Sequence, residues 1–360
     1  MKRRVGICTG GGDAPGLNAV IRAFVRDAVQ QRGWEVVGIA DSFNGLLEQP
    51  HRLIPLNPNA TRGLVRRGGT ILGTTNRGNP FSYTRANGEK VDVAPELAKA
   101  VKEERLEGLV CIGGDGTQAI ALQLMREVGI PVVGVPKTID NDLSATDYTF
   151  GFQTAVDIAT DALDRLQTTA ESHDRVLFLE VMGRDAGHIA LEAGLAGGAD
   201  IILVPEIPYD VERVAACIRD RAERGRRFSV VICAEGALPV DLAKGKSMEE
   251  RWELLRDGGG AANIAMSSLR GRIQAEMRTC VLGHIQRGGA PCAFDRVLAT
   301  RFGVAASRLV DEGRWGEMVR LRNGVVDGVP IEEAIATYKF VDPNGQLVST
   351  ARAIGVEFGG

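Results

Sequence analysis

The sequence lacks the paired cysteines that mark disulfide-rich and redox proteins. Its six cysteines are scattered, and no two of them have CxxC spacing. Cys8, Cys111 and Cys233 lie inside apolar runs. We therefore expect small buried hydrophobic side chains in a reducing compartment, and neither disulfides nor metal ligands.

Features of membrane and nucleic-acid-binding proteins are also missing. No apolar run reaches about 18 residues and no signal peptide is present, so we expect a cytoplasmic protein without a membrane partner. The net charge of −3 gives no general attraction to nucleic acid. His51, His173 and His188 do not have metal-ligand spacing.

What the chain has in quantity is glycine, with 45 residues, many of them in pairs beside strand-like runs. Short apolar runs alternate with amphipathic stretches, and the alternation restarts near residue 151, which predicts mainly parallel sheets. At 360 residues the chain is long for one core. We predict an α/β protein of two Rossmann-like lobes, with a surface insertion at 241–260 and a hairpin-like tail from Glu317.

Two glycine-rich turns each join a strand-like run to a helix. The first, Gly10–Gly16 (GGGDAPG), can bind an anion with free backbone N–H groups, although a purely structural turn is the alternative. The second, Gly113–Thr117 (GGDGT), lets phosphate approach the backbone. Here Thr117 can donate its hydroxyl, and Asp115 can hold Mg²⁺ or serve as an N-cap. Several kinase families carry GGDGT, so it does not name the enzyme.

The segment Pro136–Asp142 (PKTIDND) is more specific. It gathers a lysine, hydroxyl and amide groups and two carboxylates in seven residues after a strand. Lys137 can hold phosphate, and Asp140 or Asp142 can accept a proton from an alcohol. This combination indicates phosphoryl transfer.

Arginines and one glutamate lie near predicted strand ends and turns. An arginine there can grip phosphate with a planar fork of donors, although any one of them alone suits a solvated surface. Glu235 can accept from a sugar hydroxyl or be a plain strand-end carboxylate. The arginines in question are Arg175, Arg184, Arg278 and Arg287.

The motifs GGDAPG, GGDGT, PKTIDND, EVMGR and GHIQRGG occur in this order, and the chain thereby resembles the 6-phosphofructokinases from about residue 4 to residue 310. The resemblance implies a nucleotide-binding lobe of 1–150 plus about 285–333. It implies a fructose 6-phosphate lobe of about 151–284 plus 334–360, with the active site in the cleft between the lobes.

The resemblance also implies site residues. Asp115 is the implied Mg²⁺ position, Asp140 the general base toward the 1-hydroxyl, and Arg184 the group that stabilises the transferring phosphoryl, with Thr138 beside them. The implied donor site comprises Gly11, Arg77, Gly114, Asp115, Gly116, Thr117 and Lys137. The implied sugar-phosphate site comprises Thr138, Ile139, Asp140, Arg175, Met182, Gly183, Arg184, Glu235, Arg278, His284, Ile285, Gln286 and Arg287.

Two further implications concern assembly and regulation. Arg175 and Arg278 match positions that reach in from a neighbouring subunit, which implies a homodimer or homotetramer with shared active sites. Arg22 and Arg26 match effector positions of some bacterial members, but a solvated helix face also explains them. In many members an arginine soon after the motif GGTxLG, which is Gly68–Gly73 here, touches the donor. In this chain Arg77 stands one place late, behind Asn76.

The resemblance leaves three functions in competition. The first is ATP-dependent phosphorylation of fructose 6-phosphate to fructose 1,6-bisphosphate and ADP, with Mg²⁺, in glycolysis. The second uses pyrophosphate, whose enzymes typically have Asp where Gly116 stands and Lys where Lys137 stands. An aspartate would repel the α-phosphate of ATP, so we favour ATP. The third, a non-catalytic sugar-phosphate-binding subunit, is disfavoured by the intact Asp115, Asp140 and Arg184.

Overall fold

The computed structural model describes residues 2–85 and 87–360. In this part of the chain the strands are β1 (Arg4–Thr9), β2 (Glu35–Ile39), β3 (Leu53–Leu56), β4 (Tyr83–Thr84), β5 (Lys90–Val91), β6 (Leu109–Gly113), β7 (Val132–Thr138), β8 (Phe150–Gly151), β9 (Val176–Val181), β10 (Ile201–Leu203), β11 (Ser229–Ala234), β12 (Met277–Val281), β13 (Glu317–Arg322) and β14 (Val325–Pro330). The α-helices are α1 (Leu17–Arg26), α2 (Asn44–Leu47), α3 (Ala94–Glu103), α4 (Asp115–Val128), α5 (Phe152–His173), α6 (His188–Ala196), α7 (Val211–Glu223), α8 (Val240–Ala243), α9 (Met248–Asp257), α10 (Ala261–Ser268), α11 (Ala293–Asp311), α12 (Ile331–Ala334) and α13 (Gln346–Ala353).

The chain divides into two compact units. Unit 1 contains the residues up to Thr138 together with Leu143–Gln153 and Arg287–Tyr338. Unit 2 contains Ile139–Asp142, Thr154–Gln286 and Lys339–Gly360. The polypeptide therefore changes unit within the PKTIDND segment, directly after Thr138.

Unit 1 is built on an eight-stranded sheet. Its order is β14-β13-β7-β6-β1-β2-β3, with β8 paired to β7. Parallel pairing joins β13, β7, β6, β1 and β2 in that order, and it also joins β8 to β7. The edge strands β3 and β14 pair antiparallel with β2 and β13. Alternate strand residues face opposite ways, so α1 and α11 pack with Val5 and Ile7 in one core while α3 and α4 pack with Cys8 in another. The mainly parallel α/β prediction is confirmed.

Unit 2 is built on a smaller, wholly parallel sheet in the order β10-β11-β9-β12. Its core includes side chains from β9, β10, β11, α7 and α10. The stretch 241–260, predicted as a surface insertion, is mostly exposed, but it forms the regular elements α8 and α9. Leu255 of α9 is 3% exposed and Trp252 packs against the same core.

Two smaller predictions have mixed outcomes. The tail is a hairpin through β13 and β14, but from Ile331 onward its regular elements are α12 and α13. Cys8, Cys111 and Cys233 are fully buried, as predicted. Burial raises the pKa of the Cys233 thiol.

Among the described residues, no helix is both long and apolar enough to cross a membrane.

Candidate active site

The carboxyl ends of three neighbouring parallel strands gather the donor-type motifs in unit 1. Thr9 of β1 is in register with Ile112 of β6, and Gly113 of β6 is in register with Pro136 of β7. Parallel strands end at the same edge of a sheet, which is where open α/β sheets bind ligands. The GGGDAPG turn, the GGDGT turn and Lys137 therefore lie side by side.

The two glycine turns are packed against each other. A Cβ atom at Gly10 would lie 2.8 Å from Thr117 Oγ1, so a side chain there would displace the threonine. Gly11 has a φ of 76°, in the left-handed region that favours glycine. The side chain of Lys137 is 4% exposed, and its Nζ donates to the carbonyl of Gly12. The lysine is thus held beside the first turn.

Gly116 is in a different position from these glycines. It is exposed, and a Cβ atom built on it would meet nothing within 4 Å. It lies in the first turn of α4, and its φ is outside the left-handed region. Neither packing nor backbone conformation therefore requires glycine at this position.

Asp115 is the first residue of α4, and Gly114 occupies the N-cap position. The N-cap alternative for Asp115 is therefore not what the structure shows. The carboxylate is half-buried at the edge of the sheet. No group of three or more His, Cys, Asp and Glu side chains in the described ranges could hold a metal on its own. One hard oxygen ligand suits Mg²⁺ that arrives with donor phosphates and keeps waters.

The segment after GGTxLG is tied to the first glycine turn by contacts that spacing did not predict. Thr74 Oγ1 donates to the Gly11 carbonyl (2.6 Å), and the Gly11 amide donates to the Thr75 carbonyl (3.1 Å). Asn76 Oδ1 lies 4.0 Å from where a Cβ of Gly11 would be. Arg77 is exposed, and its amide donates to Thr75 Oγ1. Both Asn76 and Arg77 stay candidates for the donor phosphates.

Arg287 also belongs to unit 1. Its Nη1 donates to the Asp13 carbonyl (3.1 Å), and the guanidinium lies against Gly12. Sequence reasoning grouped Arg287 with the sugar residues, most of which lie in unit 2. The structure brings its guanidinium to the first glycine turn, together with Lys137, and its binding to the sugar phosphate stays a prediction. Thr138 is in unit 1 as well, where its carbonyl accepts from Thr149 Oγ1 (2.7 Å).

The second half of PKTIDND is buried in unit 2. Asp140 is 3% exposed and Asp142 is 2% exposed. Asn141 between them has a φ of 53°, a conformation that asparagine tolerates better than most residues. The Asp142 carbonyl accepts from the Lys339 amide (2.9 Å), which ties this loop to the C-terminal segment of unit 2.

The turn after β9 carries Arg184, and side chains from other elements hold its backbone. Glu235 Oε1 accepts from the amides of Gly183 (3.1 Å) and Arg184 (2.8 Å). The side chain of Gln286 is fully buried, and its Oε1 accepts from the Met182 amide (2.8 Å). Glu235 and Gln286 were predicted as sugar-binding residues, and the structure shows them binding this turn. Arg184 itself is exposed.

Glu206 and His188, which the sequence did not single out for a role, bind backbone groups near the turn after β9. Glu206 accepts from the amides of Gly187 and Val341, and burial raises the pKa of its carboxyl group. His188 Nε2 donates to the Lys339 carbonyl (2.9 Å), and burial lowers the pKa of the imidazole to about 4. Neither contact has a sequence signal, because each joins residues far apart in the chain.

Arg175 and Arg278 meet on one carboxylate. Arg175 Nε lies 2.9 Å from Glu276 Oε2, and Arg278 pairs with the other oxygen of Glu276. Hydrogen bonding to Arg175 lowers the pKa of the Glu276 carboxyl. Arg175 directly precedes β9 and Arg278 is the second residue of β12, so both lie near strand ends as predicted. His284 and Ile285, in a short 3-10 turn after β12, are exposed.

Comparison with known proteins agrees with these motifs. A family model described as Phosphofructokinase matches residues 4–310. The chain is 49% identical to the ATP-dependent 6-phosphofructokinase 1 of Synechocystis sp., over 99% of this chain and 98% of that protein. It is 48% identical to the pyrophosphate–fructose 6-phosphate 1-phosphotransferase of Streptomyces coelicolor, over 99% and 100% respectively.

Among solved structures, that of phosphofructokinase from Saccharomyces cerevisiae is similar, with a TM-score of 0.78 and 29% identity. The match covers 98% of this chain and 47% of the yeast chain. The family match, the relatives and the ordered motifs agree, and the chain belongs to the phosphofructokinase family.

Proposed function

We propose that this protein transfers the γ-phosphoryl group of Mg-ATP to the 1-hydroxyl of fructose 6-phosphate, giving fructose 1,6-bisphosphate and ADP in glycolysis. The observation that carries the proposal is the assembly in unit 1 of two glycine turns and Lys137, with an open position at Gly116. This arrangement suits a phosphate-rich donor that extends beyond pyrophosphate.

The donor is not decided by overall similarity, because relatives named for ATP and for pyrophosphate are 49% and 48% identical to this chain. Residue 116 supplies the distinction. An aspartate there would set a negative charge against the α-phosphate of ATP, and glycine removes both its charge and its bulk. Lys137 can contact the phosphates of either donor. An aspartate at position 116 would exclude ATP, whereas the Lys137 contact is open to both donors. The glycine at position 116 therefore decides the assignment, and we assign ATP.

On the donor side, backbone N–H groups of the two turns and the Thr117 hydroxyl bind phosphate oxygens. Lys137 adds positive charge beside the first turn, and Asn76 or Arg77 reaches the donor from the neighbouring segment. Asp115 would hold Mg²⁺, and the ion would supply positive charge to neutralise the donor phosphates. Gly11, Gly114 and Gly116 leave room for the donor.

On the acceptor side, Asp140 takes the proton of the 1-hydroxyl while the hydroxyl oxygen attacks the γ-phosphorus of ATP. Arg184 stabilises the charge on the transferring phosphoryl group, and Thr138 lines the reaction site. The sugar phosphate is bound by residues of the loops that carry Asp140 and Arg184 and by residues beside those loops. They are Ile139, Met182, Gly183, Glu235, His284, Ile285, Gln286 and Arg287.

Arg175 and Arg278 serve the active site of a neighbouring subunit in this proposal. The protein would then act as a homodimer or homotetramer in the cytoplasm. Their pairing with Glu276 in the single chain keeps both guanidinium groups together on one side of the β9–β12 pair.

A coupled assay for fructose 1,6-bisphosphate tests the proposal, with fructose 6-phosphate, Mg²⁺ and either ATP or pyrophosphate. We expect turnover with ATP and little with pyrophosphate. Turnover with pyrophosphate alone would overturn the donor assignment. No turnover with either donor, together with measurable binding of fructose 6-phosphate, would support a non-catalytic binding subunit.

A further inference from the structure

The turn that carries Arg184 has an uncommon backbone. Arg184 has a φ of 53° and Gly183 a φ of 143°, so two successive residues are in regions that ordinary side chains seldom occupy. Such a conformation persists only where surrounding contacts determine it. The contacts of this turn therefore control where the Arg184 guanidinium can be.

Most of those contacts go to the backbone. Glu235 binds the amides of Gly183 and Arg184, and Glu206 binds the amide of Gly187 with both oxygens. Asp185 is held in another way, through its side chain. Trp252 Nε1 donates to Asp185 Oδ1 at 2.8 Å.

Trp252 is itself firmly placed. It lies on α9, which begins with a capping box formed by Ser247 and Glu250. Leu255, three residues along the same helix, is buried in the core of unit 2, and Trp252 packs against that core. The indole is a donor only, and a carboxylate acceptor makes its hydrogen bond stronger than a neutral one.

We propose that Trp252 is a positioning residue for the phosphoryl transfer, which holds Arg184 in its working place through Asp185. This inference rests on the proposed function, in which Arg184 stabilises the transferring phosphoryl group. Glu235 fixes the turn at Gly183 and Arg184, and Trp252 fixes it at the next residue. Without the indole bond the turn can relax on one side, and the arginine spends less time at the phosphoryl group.

The first test is Trp252→Phe, which keeps an aromatic ring in the core and removes the N–H donor. We expect kcat with ATP to fall about tenfold, while the KM for fructose 6-phosphate changes less than about threefold. Trp315→Phe is the matched control, a half-buried tryptophan of unit 1, and should keep the wild-type kcat. An unchanged kcat in Trp252→Phe would overturn the proposal.

The second test separates positioning from general destabilisation. Asp185→Asn keeps an oxygen acceptor and should stay within about threefold of wild-type kcat, whereas Asp185→Ala should match Trp252→Phe. The Trp252→Phe/Asp185→Ala double variant should lose no more than either single variant. Additive losses would contradict a shared hydrogen bond.

The third test asks whether the effect passes through Arg184. In an Arg184→Ala background, Trp252→Phe should cause no further loss of the residual kcat. A further tenfold loss there would overturn the positioning role. Failure of the proposed function would be seen in the wild-type enzyme, which would form no product from ATP. An active wild type together with an unaffected Trp252→Phe variant would refute only the positioning role of Trp252.

Discussion

At the scale of single residues, Gly116 and Lys137 are under different constraints. Lys137 is buried and its ammonium group is bound to the Gly12 carbonyl, so the fold itself uses this lysine. Gly116 has open space where a side chain would be and a backbone that any residue can adopt. Packing does not explain a glycine there, and we propose that the bound donor does.

Gly116→Asp should therefore fold normally and lose its use of ATP. Two like charges about 4 Å apart at an effective dielectric near 20 repel by about 4 kcal/mol, so we expect kcat/KM for ATP to fall by about 10²–10³-fold. The KM for fructose 6-phosphate should stay nearly constant. Steady-state kinetics check this, with Gly116→Asn as the matched control for bulk without charge. Equal losses in both variants would show that size decides, and unchanged kinetics would refute the donor argument.

Asp140→Asn tests the proposed base. The amide keeps the size of the carboxylate and cannot take the proton of the 1-hydroxyl, so we expect kcat to fall by roughly 10²–10⁴ with little change in sugar binding. Steady-state rates and calorimetric binding of fructose 6-phosphate measure the two effects separately. A near-normal kcat would remove Asp140 from this role.

At the scale of elements, the loops after parallel strands are held by side-chain and backbone groups from distant parts of the sequence. The turn after β9 is bound by Gln286 and Glu235, and the loop that contains Asp142 is bound by Lys339. These partners satisfy backbone N–H and C=O groups that irregular structure would otherwise leave unpaired. The loops can therefore be both irregular and fixed.

His188, the first residue of α6, should make stability depend on pH. Its folded-state pKa of about 4 lies below the ordinary 6.5, so the unfolded chain binds the proton more readily. The stabilisation is complete above about pH 6.5 and is lost as pH falls toward 4, by up to about 3 kcal/mol. Urea unfolding between pH 4 and 7 should show this loss in the wild type.

His188→Gln is the control for that measurement, because glutamine keeps an N–H donor for Lys339 and does not titrate here. The difference between wild type and variant isolates His188 from Glu206, whose raised pKa acts in the opposite direction. Parallel pH profiles for the two proteins would show that His188 does not carry the effect.

The sequence predicted the elements well where periodicity marked them. Alternating apolar runs located the parallel strands, and glycine pairs located the turns at their carboxyl ends. Periodicity could not find Trp252 on α9, because few side chains of this charged helix are buried and it resembles a surface insertion. Nor could it place Arg287 against Gly12, a contact between residues far apart in the chain.

At the scale of the whole molecule, the proposed roles divide between the units. Unit 1 contains the two glycine turns proposed to bind the donor, and unit 2 contains Asp140 and, in the segment from Thr154 to Gln286, Arg184. Arg278 lies on β12, an edge strand of the unit 2 sheet, and Arg175, directly before the adjacent strand β9, pairs with the same Glu276. An edge strand with exposed side chains suits contact between subunits.

Sharing of active sites predicts complementation between inactive variants. Asp140→Asn subunits lack the base, and Arg175→Ala/Arg278→Ala subunits lack the arginines given to a neighbour. Co-expression of the two with different tags, followed by tandem purification, should yield mixed oligomers that regain part of the wild-type kcat, because some sites then contain every group. Mixed oligomers no more active than either parent would show that each chain works alone.

The central claim is that this chain moves phosphate from ATP, and a competition experiment tests it most directly. Fructose 6-phosphate, Mg²⁺, ATP and pyrophosphate are placed in one tube with the enzyme, and ³¹P NMR follows every phosphorus resonance. We predict that the γ-phosphate signal of ATP declines as that of a sugar 1-phosphate rises, while pyrophosphate persists. Loss of the pyrophosphate signal with ATP intact would contradict the account.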